Sequence, residues 1–272
     1  MKTRVYLFGC LLGWAACPLA WAVVVDDFQQ GAVDLQSDGT PFYSVEEVQA
    51  GLDPAHVVGG VRRLRLQEGS RRDVPLPDNV SLTVDTTGEG LLVHEADAGI
   101  RAINTFVTYN GVTDPQQNGG SNMLVDLAPN GENALVLHFD HAMFQGFGGS
   151  TNGFLDITLL SDSTPGGEYM YVLVPSSPTP FSIALDFSLL TIDPTRVTSL
   201  RFGTSNGNLP GAFALSKIES RVLSPADFNG DGLVDEADYQ AWQISRGGGL
   251  YGGAYVYSGD ANDDGVVDAA DY

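Results

Sequence analysis

Cysteine is absent from all but the N-terminal segment of this 272-residue chain, whose two cysteines are Cys10 and Cys17. The rest of the sequence therefore has no disulfide bond, no thiolate zinc site, no cysteine nucleophile and no thiol redox centre. A chain of this length builds a core large enough to be stable without disulfides.

Basic residues are also scarce. The chain has 13 lysines and arginines against 34 aspartates and glutamates, which gives a formal net charge of −21. Nucleic acids and anionic membranes are bound mainly through lysines and arginines, so this balance disfavours both as partners. From Pro225 onward, ten acidic residues accompany a single basic residue, Arg246.

Long apolar runs are confined to the N-terminus. Residues 1–4 are basic, residues 5–17 are apolar, and Ala20-Trp21-Ala22 has the small-x-small pattern of a cleavage site. This pattern predicts a signal peptide at residues 1–22, cleaved after Ala22, because the apolar run is too short to span a bilayer. We expect no transmembrane segment and a protein that is secreted or held at the cell surface.

Residues 23–222 show no sustained helical periodicity, and short apolar runs bounded by Gly, Pro, Asn and Asp predict strands instead. The pattern predicts a mainly β domain, built as a two-sheet jelly-roll or β-sandwich, then a linker at 223–226 and a small domain at 227–272. The predicted strands are 23–28, 61–67, 80–84, 100–109, 123–127, 134–139, 154–160, 169–174, 181–187, 197–202 and 213–218.

The C-terminal domain contains two copies of one pattern, at residues 227–238 and 260–271. Each copy places oxygen-bearing side chains at positions 1, 3, 5, 9 and 12 and glycine at position 6, while position 7 offers its backbone carbonyl. Calcium needs this set of oxygens, and the first loop's carboxylates repel one another without a cation, so binding and folding should be coupled. The predicted ligands are Asp227, Asn229, Asp231, Leu233, Asp235 and Asp238, and in the second loop Asp260, Asn262, Asp264, Val266, Asp268 and Asp271.

Residues 239–246 predict a short helix that ends at the glycines 247–249. The sequence stops at Tyr272, where the second helix would begin, so we expect a truncated or fragmentary second unit and a weaker second calcium site. A partner is expected to contact the first helix through Tyr239, Trp242 and Arg246.

The repeated Asp-x-Asn-x-Asp-Gly-x-x-Asp-x-x-Asp pattern at residues 225–272 resembles type I dockerins, which carry two EF-hand-like loop–helix units. The resemblance implies calcium binding and attachment to a cohesin-like or cell-surface protein. Loop positions 10 and 11 are Glu236-Ala237 and Ala269-Ala270 rather than the Ser-Thr pair of cellulosomal dockerins, so the identity of the partner stays open.

The β domain is loosely similar to jelly-roll modules of the galactose-binding-like group. The similar segments are 24–28, which contains Asp26-Asp27-Phe28, and 57–63, 193–202 and 212–218. This fold serves sugar binding, protein contacts and structural roles alike, so the similarity leaves the function open.

Motifs for catalysis in the β domain are weak. His138, Asp140 and His141 are the densest candidate for metal or acid–base chemistry, and a polar strand face explains them equally. Alternation predicts that His138 and Asp140 share one face and that His141 lies opposite. Two glutamate pairs have the composition of glycosidase carboxylates and also of solvated loops, namely Glu46 with Glu47 and Glu89 with Glu95.

Two further groups of side chains suit a sugar ligand. A basic cluster would bind acidic sugars or sulfate, or balance local carboxylates, and consists of Arg62, Arg63, Arg65, Arg71 and Arg72. Aromatic residues near loops and strand ends would stack on sugar rings or pack in the core, and these are Tyr109, Phe144, Phe147, Tyr169 and Tyr171. Residues 23–222 contain no tryptophan.

The sequence therefore favours a secreted, non-catalytic β-sandwich that binds carbohydrate and carries a calcium-dependent docking segment. One alternative is a glycoside hydrolase component of polysaccharide breakdown, which would need two facing carboxylates about 5–10 Å apart. Another is a structural surface protein without a ligand.

Overall fold

The structure is a computed structural model that describes residues 22–37, 43–68, 80–96, 103–114, 121–144, 152–163, 167–204, 211–224, 227, 233–234 and 238–239. Nearly all of the predicted signal peptide and most of the predicted C-terminal domain lie outside the described residues. In the part of the chain that is described, no helix has the length and apolar character needed to cross a membrane.

Strands dominate the described residues, as the sequence predicts. The strands are β1 (Val23–Asp26), β2 (Val33–Gln36), β3 (Ser44–Ala50), β4 (Val61–Glu68), β5 (Val80–Asp85), β6 (Leu91–Ala96), β7 (Ile103–Tyr109), β8 (Ala134–Phe144), β9 (Asn152–Ser161), β10 (Glu168–Pro175), β11 (Phe181–Asp186), β12 (Val197–Thr204) and β13 (Gly211–Arg221). Short 3₁₀ turns occur at Val58–Gly60, Phe187–Leu189 and Pro194–Arg196.

The strands form two antiparallel sheets that pack face to face. The first sheet has the order β11-β8-β13-β6-β5-β2, with β1 also paired to β13, and the second has the order β10-β9-β12-β7-β4-β3. This arrangement confirms the predicted mainly β fold with a two-sheet sandwich. Non-consecutive neighbours such as β8 and β13 show that strands distant in sequence share each sheet.

Period-two alternation builds the core between the sheets. In β5, Val80, Leu82 and Val84 are buried while the intervening polar residues are less so. Strand β10 follows the same rule, because Met170 and Val172 are buried and the tyrosines beside them are exposed. Each strand thus has one face in the core and one face outside it.

Three strands were not predicted, and one predicted strand is absent. Strand β3 was missed because its sequence, Ser-Val-Glu-Glu-Val-Gln-Ala, is rich in charge, which suits its position at the edge of a sheet. Strands β2 and β6 were also missed. The predicted strand at 123–127 is wrong, since Val125 forms only an isolated bridge with Val197.

A buried ion pair joins the two sheets at one end of the core. Arg62 on β4 donates to both carboxylate oxygens of Asp26 on β1, at 2.9 and 2.7 Å, and neither side chain is exposed. The Tyr109 hydroxyl donates to the same carboxylate at 2.6 Å, and the Arg62 Nε donates to Gln49 at 2.9 Å. Arg62 therefore balances a carboxylate, and Tyr109 is a core residue rather than a sugar platform.

Candidate functional site

The outer face of the second sheet carries an unbroken cross-strand row of side-chain positions. Strand pairing places Tyr171 opposite Asp156, Asp156 opposite Gly203, and Gly203 opposite Phe106. The row continues from Phe106 to Arg65 and then to Glu46. We call this set of six residues the first row, and it crosses all six strands of the sheet.

A second row lies beside it on the same face. Its members face one another across the strands in the order Tyr169, Thr158, Arg201, Thr108, Arg63 and Val48. Side chains directly opposite across antiparallel strands lie about 4.5–5.5 Å apart, so each row is continuous. Residues i and i+2 of a strand share one face, so the two rows are neighbours and form one continuous surface. The twelve residues of the two rows are called the outer face below.

The β9–β10 end of the outer face is aromatic and unusually exposed. Tyr169 and Tyr171 are each 47% exposed, with ring centroids 5.1 Å apart and planes at 83°. On β9, which also forms this end, Phe154 and Leu160 are 42% and 38% exposed, respectively. Large apolar side chains rarely gather in an exposed patch without an interaction to make, so this end is a candidate contact surface.

Asp156 lies beside the two tyrosines and is the unusual polar residue of the face. Its side chain is only 1% exposed, and neither carboxylate oxygen has a hydrogen bond of ordinary geometry among the described residues. Burial raises the pKa of Asp156, and the Tyr169 hydroxyl and the Arg201 charge oppose that rise. A buried carboxylate with unused acceptor capacity suggests a role in binding a hydrogen-bond donor.

Gly203 is required beside Asp156 because the backbone of β7 approaches it closely. A Cβ atom at this position would lie 1.7 Å from the carbonyl oxygen of Thr105. The first row therefore has no side chain between Asp156 and Phe106.

The opposite half of the outer face is charged. The Arg201 guanidinium lies 4.6 Å from the centroid of the Phe106 ring and donates to the Thr158 hydroxyl at 3.1 Å. Arg63 forms an ion pair with Glu46, with its Nε 3.1 Å from Oε1. Arg65 differs from both, since its Nε is buried and has no hydrogen-bond partner among the described residues.

The first sheet carries a separate polar cluster around Glu219 on β13. His138 approaches Glu219 through Nε2 at 3.1 Å and Ser182 through Nδ1 at 2.9 Å, and Lys217 and Arg221 also pair with Glu219. Burial raises the pKa of Glu219, but the bonds from His138 and Lys217 and their charges outweigh it and lower the pKa to about 2. Glu219 is therefore a satisfied structural carboxylate.

His138, Asp140 and His141 do not form one site. A bulge in the pairing of β8 with β13 leaves Asp140 without an opposite residue, and His141 Nδ1 lies 2.9 Å from the Asp140 carboxylate. The expected separation of Asp140 and His141 onto opposite faces is therefore wrong, because the bulge breaks strict alternation. Among the described residues, no three His, Cys, Asp or Glu side chains are placed to hold a metal ion.

The structure does not bring the predicted glutamate pairs together. Glu46 and Glu47 are consecutive on β3, with Glu46 opposite Arg65 and Glu47 opposite Leu64, so they point to opposite faces. Glu89 lies in the turn before β6, and Glu95 lies near the far end of that strand.

The aromatic, basic and docking residues that the sequence singled out lie in several different places. Phe144 is half-buried and packs against the core, whereas Tyr169 and Tyr171 are on the outer face. Phe147, Arg71 and Arg72 lie outside the described residues, as do Trp242 and Arg246 of the expected docking helix. Tyr239 is described, is half-buried and has a helical backbone like Asp238 before it.

Three predicted calcium ligands are described, all in the first loop. Asp227 and Asp238, at the first and last positions, are 1% and 0% exposed, and Leu233 between them is 62% exposed. The other ligands, which are Asn229, Asp231 and Asp235 and the whole second loop, lie outside the described residues.

Sequence reasoning missed Asp156 and the arrangement of the outer face. Residues 155–159 alternate between apolar and polar, so Asp156 has the pattern of an ordinary solvent-facing strand residue. The available signal was that Phe154 and Leu160 share that solvent-facing side, which is unusual for a polar strand face.

Comparison with solved structures finds carbohydrate-binding modules at low similarity. A family 11 module from Clostridium thermocellum, in complex with a β-1,3-1,4-mixed-linked tetrasaccharide, is 11% identical, with 74% of this chain and 95% of that chain covered and a TM-score of 0.33. A family 30 module of a cellulosomal cellulase from Clostridium thermocellum is 15% identical, with coverage of 70% and 98% and a TM-score of 0.36. These values assign neither a family nor a ligand to this chain. No protein-family model and no curated protein matches the sequence.

Proposed function

We propose that this protein is a secreted or cell-surface polysaccharide-binding protein whose ligand lies on the outer face of the second sheet. The observation that supports this most strongly is the half-exposed pair Tyr169 and Tyr171 beside the buried Asp156 carboxylate. A sugar ring presents C–H groups on its faces, which stack on aromatic rings, and hydroxyls around its rim, which donate to carboxylates. The β9–β10 end of the outer face offers both kinds of contact.

The dimensions of the face favour a chain of sugars over a single one. Strands lie about 4.8 Å apart, so the first row from Tyr171 to Glu46 spans about 24 Å over its five strand intervals. Two aromatic residues, Tyr171 and Phe106, and three charged residues occur along that length. An extended polysaccharide that crosses the strands would contact several of these groups at once.

The binding test uses the full chain against an array of soluble polysaccharides, followed by calorimetry on the best ligand. Tyr171→Ala and Asp156→Asn should each weaken binding by about tenfold or more, because each removes a contact worth about 1.5 kcal/mol. Met143→Ala is the matched control, since Met143 is 51% exposed and lies on the first sheet. Binding to no polysaccharide, or equal binding by wild type and both variants, would contradict the proposal.

We also propose that residues 227–272 form a calcium-dependent docking domain for a cohesin-like or cell-surface protein. Besides the resemblance to dockerins, the burial of Asp227 and Asp238 and the exposure of Leu233 support it. Buried carboxylates at the first and last positions and an exposed side chain at the seventh fit the predicted loop, in which position 7 contributes only its backbone carbonyl.

Circular dichroism and thermal unfolding of the full chain, in calcium and then in chelator, test the docking domain. The thermal midpoint or the helical signal should fall in chelator and recover when calcium is restored. Asp238→Ala should remove much of this response, because position 12 normally supplies two oxygens. If neither the thermal midpoint nor the helical signal of the wild type responds to calcium, the proposal is overturned.

A further inference from the structure

Positive charge is concentrated on the outer face of a strongly acidic protein. The described residues include seven lysines and arginines, and three of them, Arg63, Arg65 and Arg201, belong to the outer face. Two acids accompany them there, Asp156 and Glu46. In a chain of net charge −21, such a concentration points to a negatively charged ligand.

The three arginines differ in how far neighbouring side chains already balance their positive charge. Glu46 neutralises Arg63 directly. Arg201 is stacked on Phe106, bonded to Thr158 and close enough to Asp156 to oppose the rise in the pKa of that carboxyl.

Arg65 is the outer-face arginine that forms no ion pair with any of the residues that the structure describes. Its cross-strand neighbours are Phe106, which is apolar, and Glu46, whose carboxylate is bonded to Arg63. Its buried Nε has no acceptor among the described residues. A guanidinium held in this way matches the paired oxygens of a carboxylate or a sulfate in a planar, two-pronged contact.

We propose that the ligand of the outer face is an anionic polysaccharide, whose carboxylate or sulfate ester is bound by the guanidinium of Arg65. This inference rests on the proposed polysaccharide binding and names the class of glycan.

The position of Arg65 also sets how the ligand lies on the sheet. Arg65 is four strand intervals from Tyr171 in the first row, or about 19 Å at ordinary strand spacing. Asp156 repels anionic groups at the aromatic end. Uncharged faces of the sugar chain therefore stack on the tyrosines, and an acidic group several rings away meets Arg65.

At Arg65, the charges of nearby groups affect ligand binding more than the negative net charge of the whole chain does. At physiological ionic strength, exposed charges are screened beyond about 8 Å, so distant carboxylates contribute little at Arg65.

The test titrates the full chain with two matched pairs of soluble polymers. Polygalacturonate is compared with its methyl ester, and a sulfated galactan is compared with the same polymer after desulfation. We expect at least tenfold tighter binding of the charged member in one pair, and the pair that shows it identifies carboxylate or sulfate as the group bound.

Variants then assign the preference to Arg65. Arg65→Gln should weaken binding of the charged polymer at least tenfold more than binding of the neutral one, which would abolish the preference for the charged polymer. Lys217→Gln makes the same change of charge on the first sheet and should keep the preference. If the thermal midpoint of Arg65→Gln falls sharply, Arg65→Lys serves instead, and the loss of affinity should be severalfold larger for the charged polymer than for the neutral one.

The results separate this inference from the proposed function. Equal affinity for both members of each pair would overturn the anionic ligand while leaving polysaccharide binding in place. A charge preference that is as large in both Arg65 variants as in the wild type would overturn the role of Arg65. Failure to bind these polymers and every neutral polysaccharide on the array would overturn both proposals.

Discussion

Replacing Arg62 with methionine tests how the buried ion pair contributes to stability. Methionine keeps most of the length and the apolar stem of Arg62 but removes its charge and its donors. The two bonds to Asp26 and the bond to Gln49 would be lost. Asp26 would keep the hydroxyl of Tyr109 and the amide of Phe28 as donors, with no positive partner among the described contacts.

The expected cost is large because both side chains are completely buried. Removing one partner of a buried ion pair costs about 3–5 kcal/mol, since the other charge stays in the interior without compensation. For a domain of this size, each kcal/mol lowers the thermal midpoint by about 2–4 °C, so the fall should be roughly 6–20 °C. Arg196→Met is the matched control, because Arg196 and Asp162 form an exposed pair whose loss should hardly change the thermal midpoint.

The pH dependence gives a second readout. Burial raises the pKa of Asp26 above 3.8, against the opposing effect of Arg62, so Arg62→Met should raise it further. A carboxyl whose pKa is higher in the folded state than in the unfolded state favours folding below the unfolded pKa, and this contribution is lost as pH rises through the folded pKa. The cost of Arg62→Met should therefore be smaller in acid than at neutral pH.

Thermal and urea unfolding of the full chain at pH 4 and pH 7 would measure both effects. The double variant Asp26→Asn with Arg62→Met should recover at least half of the lost stability, because it buries an amide in place of an unpaired carboxylate. A loss below about 1 kcal/mol for Arg62→Met, or a loss that does not depend on pH, would refute this account of the ion pair.

Three further predictions concern the outer face, Glu219 and the calcium loops. Because burial raises the pKa of Asp156, the affinity of the protein for a neutral polysaccharide should fall as pH is lowered from neutrality toward 3.8. Calorimetry of Asp156→Asn should show no such pH dependence. Because the pKa of Glu219 is lowered from 4.5 to about 2, the contribution of this carboxylate to stability should be complete above pH 4.5 and disappear as pH falls toward 2. If Glu219→Gln and the wild type unfold in acid at the same pH, this contribution is excluded. Calcium calorimetry of the full chain should show binding that Asp238→Ala weakens, because position 12 normally supplies two oxygens; unchanged calcium affinity in this variant would contradict the predicted ligand set.

The alternation of apolar and polar residues was sufficient to predict the β-sandwich. The inner faces of β5, β9 and β10 could be read directly from the sequence, because a strand places every second side chain in the core. The two calcium loops stay a prediction from local ligand spacing, because the described residues include only three of the predicted ligands. The charged edge strand β3 escaped prediction because its local sequence resembles a loop.

The outer face depended on tertiary structure. Residues as distant in sequence as Glu46 and Gly203 enter one row because six strands pair in a particular order and register. The register of each pair is set by packing between strands that are far apart along the chain, and a shift of one residue would turn every side chain to the other face. The sequence determined which side chains each strand presents, whereas the assembled sheet decided that Tyr171, Asp156 and Arg65 lie on one surface.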